Sequence, residues 1–375
     1  MIKIIQSITV SLFLVTVGWS QTVTTFTNGT PDDAIVLDNA GNIYCSNYVG
    51  DTVFKFTPNG DVSSFITGLS SPNGLAFNSN QELYVCDGQG NTIYKYDIDG
   101  NLLASYPVTG HPSGIIKSFE DDSMIFTLYN DNVIKKLDTD DTITDISNAP
   151  ELSGPVGIAY SENGTLFVGN YNNRIIYKVL SNGDLEYIAQ LPTDGGPLPN
   201  LGFIAYGQGR IWGTTMGSDK IFSVNPNGVD DFMLFAGSIQ GSNDGDISKA
   251  TFNTPNGIYF DESNGIMYVT DFGTKNLRII TGILGIETNN SDRLNLKFYP
   301  NPAKNSITIS GSTFNSNYTI KIYDISGKLL SEQKEETIES NFSKTIDVSS
   351  LSPGTYFFEF FDGTESVSRK FVKQD

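Results

Sequence analysis

The sequence predicts an all-β protein: a six-bladed β-propeller followed by a small Ig-like β-sandwich. Three observations predict it. A turn-and-strand unit recurs six times with starting prolines 41, 40, 43, 44 and 56 residues apart. Gly, Asn, Ser, Thr and Asp are plentiful while long helical periodicity is missing, which favours short strands joined by tight turns. After residue 285 the repeat stops and a different alternating pattern begins.

Each unit opens on a turn that leads into an apolar strand. The openings are Pro31-Asp32-Asp33, Pro72-Asn73-Gly74, Pro112-Ser113-Gly114, Pro155-Val156-Gly157, Pro199-Asn200-Leu201 and Pro255-Asn256-Gly257. The last spacing is longer because of an insertion between Ala236 and Ala250. A second strand follows, as in Ile43-Tyr44-Cys45, Leu83-Tyr84-Val85 and Leu166-Phe167-Val168. The third carries a lysine, as in Val53-Phe54-Lys55-Phe56, Ile93-Tyr94-Lys95-Tyr96 and Ile176-Tyr177-Lys178-Val179. A fourth strand comes after an Asn-Gly or Asp-Gly turn, residues that tolerate positive φ and suit hairpins. Four antiparallel strands every 40 to 45 residues are the mark of a propeller blade. The sixth unit runs out after three strands. Thr22 to Phe26 resembles Asp61 to Phe65, so the N-terminal segment is expected to supply the missing fourth strand and close the ring.

Residues 1–20 read as a secretory signal, with Lys3, an apolar run and small residues before Gln21. No later segment is long and apolar enough to span a membrane, so the mature chain is expected to lack a transmembrane segment and to be a monomer. The formal charge is −19, and residues 1–286 hold 13 Lys/Arg against 30 Asp/Glu. An acidic surface repels phosphate backbones, which argues against nucleic acid as a partner. Cys45 and Cys86 fall one position apart on equivalent strands, so they point to opposite faces and predict free thiols. The expected organisation is a signal at 1–20, a propeller at 21–285, a linker at 286–296 and a tail domain at 297–375.

The P-N-G-[IL]-x-[FY] openings, the [LI]-Y-V-x-D second strand and the basic third strand resemble NHL repeats, within the group that holds the SMP-30/gluconolactonase-like propellers. The tail resembles the type A C-terminal sorting domain of type IX secretion cargo. The matching residues are Tyr299-Pro300-Asn301-Pro302, Tyr323-Asp324 with Gly327-Lys328, Leu351 with Gly354 and Tyr356, and the terminal Lys370-Phe371-Val372-Lys373. That resemblance implies a Gram-negative bacterium, the type IX machinery as partner, and a secreted or outer-membrane-surface location.

Two rings of loop residues are candidate sites. The first loop borders the central channel, and its middle position offers oxygens at Asp32, Asn73, Asn200 and Asn256. Such hard ligands suit calcium, and the SMP-30 resemblance implies a divalent ion there. These residues also suit turns that cap their own backbone, and both readings stay open. The family's early Glu-Gly-Pro ligand motif is absent. The second loop carries Tyr48, Gly88, Tyr129, Tyr171, Met216 and Phe272, a run of large side chains that loops seldom hold. They read either as a rim that binds a glycan, peptide or protein, or as wedges between blades. Asp51, Asn91, Arg174, Asp219 and Lys275 are expected beside them as polar contacts. His111 is the single histidine. That excludes histidine-rich zinc sites. It also leaves out the histidine pair on which streptogramin-lyase-like propellers, which this repeat resembles, rely. Two functions follow: a secreted binding module, or a calcium-dependent lactonase or esterase.

Overall fold

The computed structural model describes residues 21–27, 30–196, 198–283, 297–301, 303–312, 317–324, 329–336, 341–361 and 366–374. The expected signal segment, the linker, Pro302 and Gly327-Lys328 lie outside them. The chain divides into two compact units, Met1–Ile283 and Leu284–Asp375.

The first unit is the propeller. Five blades are four-stranded sheets in chain order, for example Pro72–Phe77, Leu83–Asp87, Thr92–Tyr96 and Leu102–Pro107. Side-chain oxygens set the turns between first and second strands. Asp38 accepts N–H bonds from Ala40 and Asn42, Asn78 from Asn80 and Glu82, and Asp261 from Ser263 and Asn264. Burial falls outward along each blade. Leu83–Asp87 is buried throughout, whereas Leu102–Pro107 alternates toward solvent. The third-strand lysines have a partner in the second strand: Lys55 Nζ lies 5.1 Å from the Tyr44 ring and Lys95 Nζ 5.6 Å from the Tyr84 ring.

The recurring glycine of the opening turn has a steric cause. A Cβ on Gly74 would lie 2.1 Å from Ser113 O, and one on Gly114 1.9 Å from Val156 O. In these blades the neighbouring backbone approaches too closely at the axis for a side chain there.

The sixth blade closes as expected, with Thr22–Thr27 paired to Asn276–Thr281. The insertion contributes a fifth strand that the repeat pattern does not show, Gly245–Asp246, on the outer side of Thr22–Thr27. Asp244 accepts from Thr25 N–H and Oγ1–H, each at 2.9 Å. It also meets Arg278 Nη2 at 2.8 Å, while Arg278 Nη1 reaches Asp271 at 3.0 Å. Cys45 and Cys86 are buried and free, and burial pushes both thiols up.

The second unit has two sheets, one of three strands (Lys297–Tyr299, Ser306–Ser312, Asn341–Asp347) and one of four (Leu329–Glu336, Asn317–Asp324, Gly354–Phe361, Ser366–Lys373). Ile307, Ile309, Ile320, Ile322, Phe358, Phe360 and Phe371 form its core.

Candidate functional site at the channel mouth

Loops from the blades surround a cavity of about 440 Å³ at one end of the central channel. Strand register decides which residues reach its floor. Leu75 pairs with Val85 and Ile35 with Cys45, so Asn73 and Asp33 are equivalent. The alignment on prolines places Asp32 there instead, and the structure corrects it by one residue. In the fifth blade Ile204 pairs with Gly213, which puts Gly202 at the floor position and Phe203 where four blades carry glycine and the first carries Ala34. The cavity is lined by Asp33, Asn73, Ser113, Val156, Phe203 and Asn256, and not by Asp32 or Asn200. The Asp32 carboxylate accepts from Tyr48 N–H at 2.6 Å and Lys275 Nζ at 3.0 Å. Asn200 donates from Nδ2 to Tyr171 O at 3.3 Å.

The floor is polar and incompletely bonded. Asp33 is 3% exposed. Its Oδ1 accepts from Asn256 Nδ2 at 2.5 Å, and its Oδ2 has no partner. Asn73 Oδ1 is likewise buried without a partner, while its Nδ2 donates to Ser113 Oγ at 3.5 Å. Burial, and then the neighbouring Asp32 charge, push the Asp33 carboxyl well above the usual carboxylate range. Calcium takes six to eight oxygens. Two buried side-chain oxygens of the floor lack a partner, one on a carboxyl and one on an amide, and among the described residues no group of three or more His, Cys, Asp or Glu is placed to hold a metal. Asp33 is the one carboxylate among the lining residues, so the donor set is poor in charge for a calcium cage.

The walls hold the large loop residues together. Tyr48, Tyr129, Tyr171, Met216 and Phe272 all line the cavity. The second blade has Gly88 at that position, and His111 from the next blade occupies the space: a Cβ on Gly88 would lie 2.7 Å from His111 Nε2. The rings form a continuous arc. Tyr48 and His111 centroids are 6.0 Å apart, His111 and Tyr129 5.9 Å, and Tyr129 and Tyr171 5.8 Å, each edge to face. Tyr48 Oη is 3.4 Å from His111 Nε2. His111 has φ of +63°, and its N–H donates to Asn91 Oδ1 at 3.1 Å. Burial lowers its pKa, partly offset by Asp87, so the ring is neutral at neutral pH. Burial also raises the Tyr48 phenol, and Tyr171 is pushed up to about 12. His111 and Asp33 are the site residues that sequence reasoning passed over. The signal for the histidine was the one glycine in an otherwise bulky ring.

Four of the five polar residues expected beside the rim instead join loops to one another, and Asp51 bonds its neighbour Thr52. Asn91 fixes His111, Asp219 Oδ1 accepts from Thr254 N–H at 2.7 Å, and Lys275 holds Asp32. Arg174 donates from Nε to Leu191 O and from Nη1 to Pro199 O. Asp51 Oδ1 accepts from Thr52 Oγ1. None of the five lines the cavity.

In the second unit, motif residues far apart in sequence meet. Asn301 Oδ1 accepts from Val372 N–H at 2.9 Å, and Ala303 N–H donates to Val372 O at 2.8 Å. Gly354 pairs with Lys373 and Phe357 with Lys370. Tyr356 stacks on Phe371 at 5.5 Å and donates from Oη to Ser352 O. Tyr299 and Pro300 are exposed.

Fold and tail together define a propeller exported to the cell surface or beyond. The chain belongs to the virginiamycin B lyase family, which matches residues 14–240, and residues 297–374 match the secretion system C-terminal sorting domain. It is similar to a pentonolactonase of Haloferax volcanii, 30% identical over 70 residues, which are 17% of this chain and 24% of that protein. The chain thus spans about a quarter of that relative's length. Among solved structures it resembles a catalytically inactive histidine-to-alanine variant of virginiamycin B lyase from Staphylococcus aureus with quinupristin (TM-score 0.51, 20% identity, 68% of this chain and 82% of that one). A gluconolactonase from Xanthomonas campestris matches at TM-score 0.53, 16% identity, 69% and 89%. An auxiliary nutrient binding protein from Bacteroides thetaiotaomicron matches at TM-score 0.57, 15% identity, 69% and 76%. At these identities the likeness is one of fold.

Proposed function

We propose that the propeller is a secreted binding module that captures a small ligand, a glycan before a peptide, in the channel mouth. The observation that carries this reading is the arc of Tyr48, His111, Tyr129 and Tyr171 around a cavity of about 440 Å³. That volume lies in the range of small-molecule sites, and aromatic faces suit the C–H faces of sugars. A nutrient-binding role for a surface-exported propeller has a parallel in the Bacteroides neighbour.

The second reading is a lactone or ester hydrolase, motivated by the short pentonolactonase match and the gluconolactonase fold. It needs an ion to polarise the carbonyl and activate water, and the cavity lining offers that ion a single carboxylate, Asp33. Lyase chemistry of the streptogramin kind has its own difficulty, since the chain holds one histidine and that ring is packed between tyrosines. The test is the full chain on glycan and peptide arrays, with the Tyr48→Ala, Tyr171→Ala, Phe272→Ala triple variant alongside. Removing three wall side chains at roughly 1 kcal/mol each should weaken the bound ligand about 100-fold. Unchanged binding removes the site, and turnover of a lactone with calcium present replaces binding with hydrolysis.

A further inference from the structure

We infer that the channel mouth is a two-sided site for a glycoside, a neutral sugar joined to an apolar aglycone. The sugar lies against blades one to four and the aglycone against blades five and six. The inference rests on the binding reading of the same cavity and names its ligand class.

The six blades do not line the mouth alike. On the side of the first three, every lining side chain carries a polar atom. Gln89 and Asn130 are exposed there, and no described residue hydrogen-bonds either side-chain amide. Beside them stand the half-buried rings of Tyr48, His111 and Tyr129. Amides and phenols both donate to and accept from hydroxyls, and ring faces take C–H groups. The fourth blade is mixed, with Tyr171 and Val156. Beyond it the wall is apolar: Leu198, Phe203, Met216 and Phe272. Asn256 is the one polar lining side chain on that side, and its Nδ2 is turned to Asp33 Oδ1 at 2.5 Å.

Two departures from the repeat build the apolar side. The shifted register of the fifth blade brings Phe203 to the cavity. Phe203 also lines a second cavity of about 250 Å³, bounded by the first strands of all six blades, so it stands between the two. The connection 191–200, ahead of the fifth blade, brings in Leu198, which is 37% exposed. That connection is pinned. Asp194 N–H donates to Ser218 Oγ at 3.0 Å, Arg174 Nη1 to Pro199 O at 2.8 Å, and Asn200 N–H to Leu198 O at 2.7 Å. A leucine held open beside Met216 and Phe272 extends an apolar wall that a ligand's apolar surface would cover.

Each simpler ligand leaves one side unmatched. A free sugar leaves the apolar wall wet. A purely apolar molecule strips water from the Gln89 and Asn130 amides and gives them no partner. No Lys or Arg lines the cavity to receive an anion. An apolar cavity of about 150 Å³ holds benzene, so about 440 Å³ has room for a sugar ring with a second ring beside it.

The test is calorimetric titration of the full chain with three sets of probes: phenyl glycosides of neutral hexoses, pentoses and their disaccharides, the matching methyl glycosides, and phenol. The best phenyl glycoside should bind at least about tenfold tighter than its methyl counterpart and than phenol. Leu198→Asn and, separately, Phe272→Ala should bring the phenyl-to-methyl ratio down to about twofold. Gln89→Ala combined with Asn130→Ala should weaken both glycosides about tenfold and leave the ratio standing. Equal affinities for phenyl and methyl glycosides, a ratio that neither wall variant lowers, or phenol binding as tightly as the glycoside each overturn the two-sided site. If the two glycosides bind equally and the Tyr48, Tyr171 and Phe272 triple variant loses both, the binding reading stands and this inference alone falls. If no glycoside binds, the carbohydrate reading of the mouth falls with it.

Discussion

At the seam that closes the propeller ring, Arg278 is fully buried and has four oxygen partners: Asp271 at 3.0 Å, Asp244 at 2.8 Å, and the carbonyls of Thr251 at 2.9 Å and Asn243 at 3.0 Å. Its guanidinium also lies over the Phe252 ring at 5.0 Å. At the channel mouth, Asp33 is as deeply buried yet has one oxygen with no partner, and Asn73 beside it has another. The seam uses buried polarity to hold two distant chain segments together, and of the Arg278 nitrogens Nε alone is buried without a partner. The mouth leaves two atoms open. Buried polar groups that are paired across distant segments favour one structure.

That contrast can be broken at either end. The largest expected effect is at the seam. Arg278→Ala leaves Asp271 buried without its cation and should destabilise the propeller by about 3–5 kcal/mol at pH 8, read by denaturant unfolding. The cost should shrink at pH 5. Burial already pushes the Asp271 carboxyl up to about 7 against the pull of Arg278, and without the guanidinium it rises further. A group raised in the folded state contributes stability below its ordinary pKa and loses it as pH rises through the folded value. A cost that is the same at both pH values would mean that Arg278 acts by packing on Phe252 alone.

A smaller loss, about 1–2 kcal/mol, is expected for Asp244→Ala, which removes the acceptor for Thr25 N–H and Oγ1–H and half of the Arg278 contact. Hydrogen exchange should show Thr22–Thr27 opening ahead of the other blades. Uniform exchange across the six blades would show that the insertion is not what secures the seam.

The smallest effect belongs to the mouth. Asp33→Asn should change stability by no more than about 0.5 kcal/mol at pH 5, because the amide replaces an acid of the same shape and donor capacity. Wild type should then lose ground to the variant as pH rises toward 8, since the raised Asp33 must ionise or keep its proton while the unfolded chain releases it. Denaturation at the two pH values reads this. A loss as large as that of Arg278→Ala would put Asp33 in the same structural role as the seam and erase the distinction between them.

Much of the fold was legible because a blade is a local object. Its strands are neighbours in sequence, and the glycine of four opening turns marks the close approach of blades at the axis. The aromatic wall was legible too, as bulky residues at one loop position in five of six units. The floor was not. Pro31 and Pro199 look like the other starting prolines but sit one and two residues out of register, which exchanges Asp32 for Asp33 and removes Asn200. Only hydrogen-bonded pairing, Ile35 with Cys45 and Ile204 with Gly213, shows the shift. His111 was hidden for a similar reason. Its side chain fills a gap left by Gly88, a residue of a different blade.

The sequence by itself determined the number of blades, the N-terminal strand that closes the ring, the export tail and the aromatic character of one loop ring. These depend on periodicity and composition within stretches of about 40 residues. The tertiary structure alone decided which carboxylate faces the channel, that burial raises its pKa, and that the insertion after Ala236 pairs with the N-terminal strand at the seam. Those outcomes depend on burial and on contacts between segments as far apart as Asp33 and Asn256, or Thr25 and Asp244, and no local pattern records them.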